Sequence, residues 1–300
     1  MTATALPSQP AADLTTTPVP PAVRVAGGTL SDDLRAVKMV WKRELIRFFR
    51  NRIRIVTSLM QPILFLFVLG SGLSGVTAGV TGRFDFKTFM FPGVLSMAVL
   101  FTAIFSAISI VWDREFGFLR EMLVAPVRRS AIVIGKCLGG ASVATFQGVV
   151  MLALAGAVHV PYDPVLMVTL VAELLLVAVT LTAFGTMAAS RMSQVESFQV
   201  VMQFFVLPMF FLSGAVFPLS KLPTWLRALT VIDPLTYGVD PMRRAVFSHL
   251  RSASPQVVHT LSPGVTWNGW RVPTLLELAI VAVMGAAMLG VAIWQFTRPE

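Results

Sequence analysis

Six long apolar stretches, 54–75, 88–112, 131–158, 164–189, 197–217 and 273–296, constrain this chain more than anything else in it. About 20 apolar residues in helical form cover the roughly 30 Å hydrocarbon core of a bilayer. A backbone inside lipid must satisfy its own hydrogen bonds, so such stretches cross as helices. The 300 residues are 55% apolar and only 13% charged, with a mean hydropathy of +0.76, which is far from the balance of a water-soluble domain. The expected fold is an all-α polytopic membrane protein with six transmembrane helices. An even number of spans places both ends of the chain on one side.

Lys and Arg number 24 against 15 Asp and Glu, a net charge of +9. Nucleic acid is not the expected counter-charge, because the basic residues cluster beside apolar spans instead of forming a separate solvated face. Anionic lipid headgroups are. Arg47, Arg50, Arg52 and Arg54 crowd the start of the first span, the loop after the second span is basic, and Arg191 follows the fourth, whereas the turn at Pro161 to Asp163 has no Lys or Arg. By the positive-inside rule both termini are expected in the cytoplasm. The expected location is a plasma (inner) membrane. Lys221, Arg227, Arg243, Arg244, Arg251 and Arg271 lie in the interval between the fifth and sixth spans, which runs against the rule, but loops of that length weigh little in it.

Residues 1–30 are rich in Ala, Thr and Pro and read as a disordered cytoplasmic tail with no central apolar run of a signal peptide. Ser31, Asp32 and Asp33 then form a helix start. Over 31–52, Leu34, Val37, Trp41, Leu45 and Phe48 recur at spacings of three and four, with Arg35, Lys38, Lys42 and Arg43 mainly opposite. An interface helix with its basic side toward lipid headgroups fits this pattern, and so does a helix packed on protein. The single cysteine, Cys137, excludes an intramolecular disulfide.

The stretch Val111 to Lys136, between the second and third spans, carries Asp113, Arg114, Glu115, Arg120, Glu121, Arg128, Arg129 and Lys136. Phe116, Leu119 and Leu123 fall on one side of a helix over 113–125, ended by Pro126 and weakened by Gly117. Periodicity alone leaves two readings, a solvated connector and a surface lever pushed by a partner. The string DREFGFLREMLVAPVRRSAIVIGKCLGG, Asp113 to Gly140, resembles the segment that marks membrane subunits of ABC-2 type exporters, the group that includes daunorubicin-resistance permeases. DPLTYGVDPMRRAV, Asp233 to Val246, and more weakly QPILFLFVLGSGL, Gln61 to Leu73, are similar to the same family.

That resemblance implies a transmembrane domain over 53–298, with a coupling helix at about 113–125 and an extracellular region with short re-entrant helices over 218–272. It implies that Glu115, Phe118, Leu119, Arg120 and Glu121 dock on an ABC ATPase subunit, present in two copies, and that a second permease copy or a homologous permease completes the pathway. ATP and Mg would then sit on the ATPase, with no cofactor on this chain. The cargo implied is amphiphilic, drug or lipid-like, or a polysaccharide or glycolipid. From the residues themselves, Asp233-Pro234 and Asp240-Pro241 each pair a capping side chain with proline, and two short helices are expected to start there.

Candidates for chemistry are few. SAIVIGKC, Ser130 to Cys137, has Ser130 and Cys137 where a phosphate-binding loop has glycine and Ser/Thr, so this chain is not expected to hold nucleotide. Glu173 inside the fourth span lines a pathway or hydrogen-bonds at a helix interface. Phe204, Phe205, Phe210 and Phe211 form an aromatic wall for an amphiphile or a lipid-facing surface. Glu277 is expected to reach toward water. His159 and Asp163 read as turn residues, and three scattered histidines make no metal site. An ion-gradient transporter or channel is the alternative class. It predicts broken helices at matching places in two halves, and only 208–245 is strongly interrupted.

Overall fold

The computed structural model describes residues 30–74, 86–118, 127–216, 223–250, 264–267 and 270–298. The tail expected over 1–30 falls almost wholly outside them. Helix α1 (Leu30–Arg50) carries Asp32 and Asp33 in its first turn and Arg47 and Arg50 in its last, each sign at the favourable end of the dipole. Helix α2 (Arg52–Leu64) is capped by the Asn51 side chain, which accepts from Arg54 N at 3.1 Å. Pro62 lacks an amide donor, and a π-turn at Phe65–Leu69 follows it before the helix runs on to Ser74.

The second span, Phe86–Glu115, is α3 (Phe86–Ser106) and α4 (Ile108–Glu115), interrupted only at Ala107. Helix α5 (Arg129–Leu152) ends in a 3-10 turn at Ala155–Val158. Asp163 caps α6 (Pro164–Ala189), accepting from Val165 N at 2.8 Å, with proline at the first position. Helix α7 (Val195–Leu212), the short α8 (Thr224–Ile232) and α9 (Thr236–Ser248), and α10 (Thr274–Thr297) complete the bundle. At 13 residues α9 is about 20 Å long, too short to cross a bilayer. The six long apolar helices begin and end within a few residues of the expected spans, the fourth at the same two residues.

One expectation changes. Asp240-Pro241 does not start a second helix. It lies inside α9, where the Asp240 carboxylate is used sideways, accepting from Arg244 and from Val265 N at 3.2 Å. A two-residue antiparallel pair, β1 (Thr266–Trp267) with β2 (Trp270–Arg271), lies just before the last span, and the architecture is all-α as expected.

The core lies around the second span, the most buried of the six. It runs antiparallel to α5 in one continuous register: Asp113 pairs with Lys136, Thr102 with Gln147, and Thr88 Oγ1 donates to Val158 O at 2.8 Å. Helices α6 and α10 run in the same direction, tied by Thr180 Oγ1 to Val281 O at 3.0 Å and by Ser190 to Gln295. Arg129 reaches Phe296 O and Thr297 O at 3.5 Å, so α10 ends beside the start of α5.

Candidate functional site

Helix α1 does not merely rest on a lipid surface. It packs lengthwise against α5 in the same direction: Asp33 meets Arg128 at 3.2 Å, Val40 meets Gly135, Glu44 meets Gly139, and Phe49 meets Phe146 at a ring separation of 5.1 Å. The two glycines, four residues apart, make this approach possible. A Cβ on Gly135 would lie 2.8 Å from Val40 Cβ, and one on Gly139 would lie 2.7 Å from Glu44 Cβ. Trp41 Nε1 donates to Ser142 Oγ at 3.0 Å on the same seam. Leu34, assigned by periodicity to the packed side, is 70% exposed.

Where this seam meets the second span, four charges from three helices converge. Lys136 Nζ, in the second turn of α5, donates to Asp113 Oδ2 at 2.5 Å, to Ser109 O and Oγ at 3.2 Å, and to Glu44 Oε1 at 3.5 Å. Arg43 Nη2 lies 2.8 Å from Asp113 Oδ2 and 3.6 Å from Glu44 Oε1. Only 2% of the Lys136 side chain is exposed, and a lysine so placed needs its counter-charges, which the two carboxylates supply. Lys136 closes the charged stretch from Val111 and also falls inside the expected third span, 131–158. The whole of Ser130 to Cys137 is helix, so the superficial phosphate-loop pattern has no loop in it.

The next two residues of α4 hold other elements. Arg114 Nη1 donates to Ser190 O at 2.9 Å and Met192 O at 3.2 Å, satisfying carbonyls past the end of α6. Glu115 Oε2 accepts from Val195 N at 2.9 Å, placing a negative charge at the start of α7. Three consecutive side chains thus fix one helix end to α1, α5, the α6–α7 turn and α7. The chain then breaks: Gly117 has φ +80°, a conformation open chiefly to glycine.

Of the coupling helix expected at about 113–125, residues 113–115 form the end of the second span, Gly117 has φ +80°, and 119–126 lie outside the described residues. Of the residues expected to dock, Glu115 is spent on capping α7 and Phe118 is exposed. Leu119, Arg120 and Glu121 lie outside the described residues. All four residues expected to contact lipid, Arg35, Lys38, Lys42 and Arg43, are exposed, and Arg43 also reaches Asp113 in the charged quartet.

The proposed pathway residues do not share one surface. Glu173 is buried inside α6, and its Oε2 has no hydrogen-bond partner among the described residues. Phe204, at 75% exposure, and the less exposed Phe205 and Phe211 face outward from α7, while Phe210 is buried against Phe65. At the opposite end, Glu277 is fully buried instead of reaching water. It accepts from Arg244 Nη2 at 3.0 Å, and the same guanidinium donates to Asp240. Arg243 donates to Gly214 O at 2.6 Å and lies 4.3 Å above the Phe89 ring, pinning α9 to the turn after α7 and to the second span. Asp233, in the turn before α9, accepts from Leu235 N at 2.9 Å, and burial pushes its carboxyl up to about 7 despite that bond. His159 adopts φ 61° after the 3-10 turn, and Asp163, besides capping α6, lies 3.9 Å from His249.

A profile described as ABC-2 type transporter matches residues 35–247. A protein of Cyanophora paradoxa named as a transport permease, ycf38, is 28% identical over 212 residues, covering 69% of this chain and 72% of its own. YbhR of Escherichia coli K12, named as a multidrug ABC transporter permease, is 29% identical over 206 residues, 68% of this chain and 51% of its own length. The inner membrane transport permease YadH of the same organism is 25% identical over 209 residues, 69% and 81% of the two chains.

Proposed function

The chain belongs to the ABC-2 type transporter family, and from that premise we propose that it is the membrane subunit of an ATP-driven exporter that moves an amphiphilic, drug or lipid-like molecule out of the cytoplasm or inner leaflet. Membership makes it a multi-pass permease subunit of an ABC transporter, a group whose members generally pair with an ABC ATPase. Two ATPase chains, with ATP and Mg, bind at the end holding Asp113, Lys136 and α1, which faces the cytoplasm with both termini. A second permease copy or a homologue lies against the outward aromatic face of α7. The multidrug name of YbhR supports an amphiphilic cargo.

The observation that carries this reading is the anchorage before Gly117. Asp113, Arg114 and Glu115 tie that helix end to α1, α5 and α7, so a push on the segment beyond it reaches three other helices without slack. The test is co-purification of the tagged chain from its native membrane in mild detergent, followed by an ATPase assay and reconstitution. Recovery of an ATPase, with transport lost but hydrolysis kept in R120E and E121R variants, supports the reading. Recovery of the chain alone, with transport following an ion gradient, replaces it with a secondary transporter.

A further inference from the structure

We propose that the cleft between the end of α1 and the end of α4 is a built site for the phosphate of an anionic phospholipid. The cleft holds about 760 Å³. Arg47 and Arg50, three residues apart and so neighbours on one face of α1, both line it. Neither guanidinium makes a hydrogen bond or an ion pair among the described residues. The Arg47 guanidinium lies 4.7 Å above the ring of Trp112, another residue of the cleft lining, and this contact holds it in place. The acid in the lining, Asp113, is already matched by Lys136 and Arg43, so it leaves no free negative charge to repel an anion.

The other walls say what kind of anion. Ile46, Phe116 and Phe118 line the same cleft, each about half exposed or more, and offer apolar surface beside the cationic pair. A ligand that matches both carries a phosphate joined to hydrocarbon. Arg presents paired donors to phosphate oxygens, and the apolar walls take the glycerol and first acyl methylenes. The place agrees. Arg50 precedes the first span by two residues, and Trp112 is within the last turn of the second, so the cleft sits at the depth where headgroups lie and tryptophan is favoured. A protein partner's acidic loop or free phosphate offers the same charge but lacks the hydrocarbon. The inference rests on this end of the bundle lying at a bilayer surface and not on the direction or cargo of transport.

The experiment uses the full chain, without any ATPase, in nanodiscs of phosphatidylcholine doped with phosphatidylglycerol, followed by delipidation in detergent and native mass spectrometry. Wild type is expected to retain phosphatidylglycerol, and R47Q/R50Q to lose retention by about tenfold or more while staying monodisperse. The control R35Q/K38Q removes the same charge away from the cleft and should keep retention. Equal retention in R47Q/R50Q and wild type overturns the site, as does equal loss in both variants, which would mean diffuse attraction. Displacement of the lipid by an equal concentration of inorganic phosphate overturns the lipid assignment in favour of a free anion. Unchanged lipid retention in R47Q/R50Q, together with loss of the ATPase in a separate co-purification from the native membrane, overturns it in favour of a protein partner.

Discussion

Lys136 and Asp113 face each other across 2.5 Å inside the bundle, one from the second turn of the third span and the other from the last turn of the second. Between them pass the restraints that hold α1 as well, since Glu44 and Arg43 complete the set. Lys136→Met strands two carboxylates on one arginine, and Asp113→Asn leaves the ammonium with Glu44 at 3.5 Å as its nearest anion. Each single change is expected to destabilise by about 3 to 5 kcal/mol. The double variant, which removes one charge of each sign, should lose clearly less than the sum. Thermal denaturation of the four proteins in one detergent measures this, and strict additivity would show that the pair is not coupled.

The glycine seam supplies a steric prediction. Gly139→Val puts new atoms on a Cβ that already lies 2.7 Å from Glu44 Cβ, so α1 must lift off α5. A loss of about 1 to 3 kcal/mol is expected, as for overpacked cores. Gly290 on α10 has no heavy atom within 4 Å of the same construction, and Gly290→Ala should be neutral or stabilising by up to about 1 kcal/mol. Hydrogen exchange of α1 amides separates the two: faster exchange is expected with Gly139→Val and none with Gly290→Ala. A protected α1 in Gly139→Val would mean that the close approach is not needed.

Much of this architecture was legible because lipid leaves few choices. The run Pro164 to Ala189 is uniformly apolar, its start is written by Asp163 and Pro164, and the helix follows those residues. Lys136 falls inside the expected third span, but the partners that let its charge stay buried there, Asp113 and Glu44, are 23 and 92 residues away and beyond the reach of local pattern. Val40 and Gly135 are likewise distant, so one-helix periodicity could not show that α1 has a seam against α5. Asp240 looks like a cap in the sequence because one of its two partners, the Val265 amide, is 25 residues away, although Arg244 is within one helical turn. The break at Gly117 was visible as a weak point, and the roles of Arg114 and Glu115 as anchors for α6 and α7 needed the third dimension.

Asp233 gives the fold a pH dependence with a defined sign. Its carboxyl is raised by burial from the ordinary value of 3.8 to about 7, so the folded chain holds a proton there that the unfolded chain has lost. The contribution to stability is complete below about pH 4, falls as pH rises, and is gone above about pH 7. Asp233→Asn keeps an oxygen to accept from Leu235 N while removing the titration. Wild type should therefore melt a few degrees lower at pH 8 than at pH 5 relative to the variant. Parallel melting curves across that range would remove Asp233 from the account.

The last prediction concerns the passage of force into the bundle. Glu115 Oε2 takes the first amide of α7, and two residues later Gly117 turns the chain at φ +80° toward the segment proposed to meet the ATPase. Glu115→Gln keeps an acceptor at the cap and should leave coupling nearly intact, whereas Glu115→Ala frees the α7 start and costs about 1 kcal/mol of local stability. Gly117→Ala meets no atom within 4 Å among the described residues, and its cost, also about 1 kcal/mol, is one of backbone conformation. Both alanine variants should assemble with the ATPase and hydrolyse ATP at near wild-type rates. Transport per ATP should nevertheless fall several-fold, because the push arrives at a helix end that has lost its hold on α7 or its angle of departure. Proteoliposomes assayed for both quantities decide the matter: a fall in hydrolysis with unchanged transport per ATP would place these residues in docking, not in transmission.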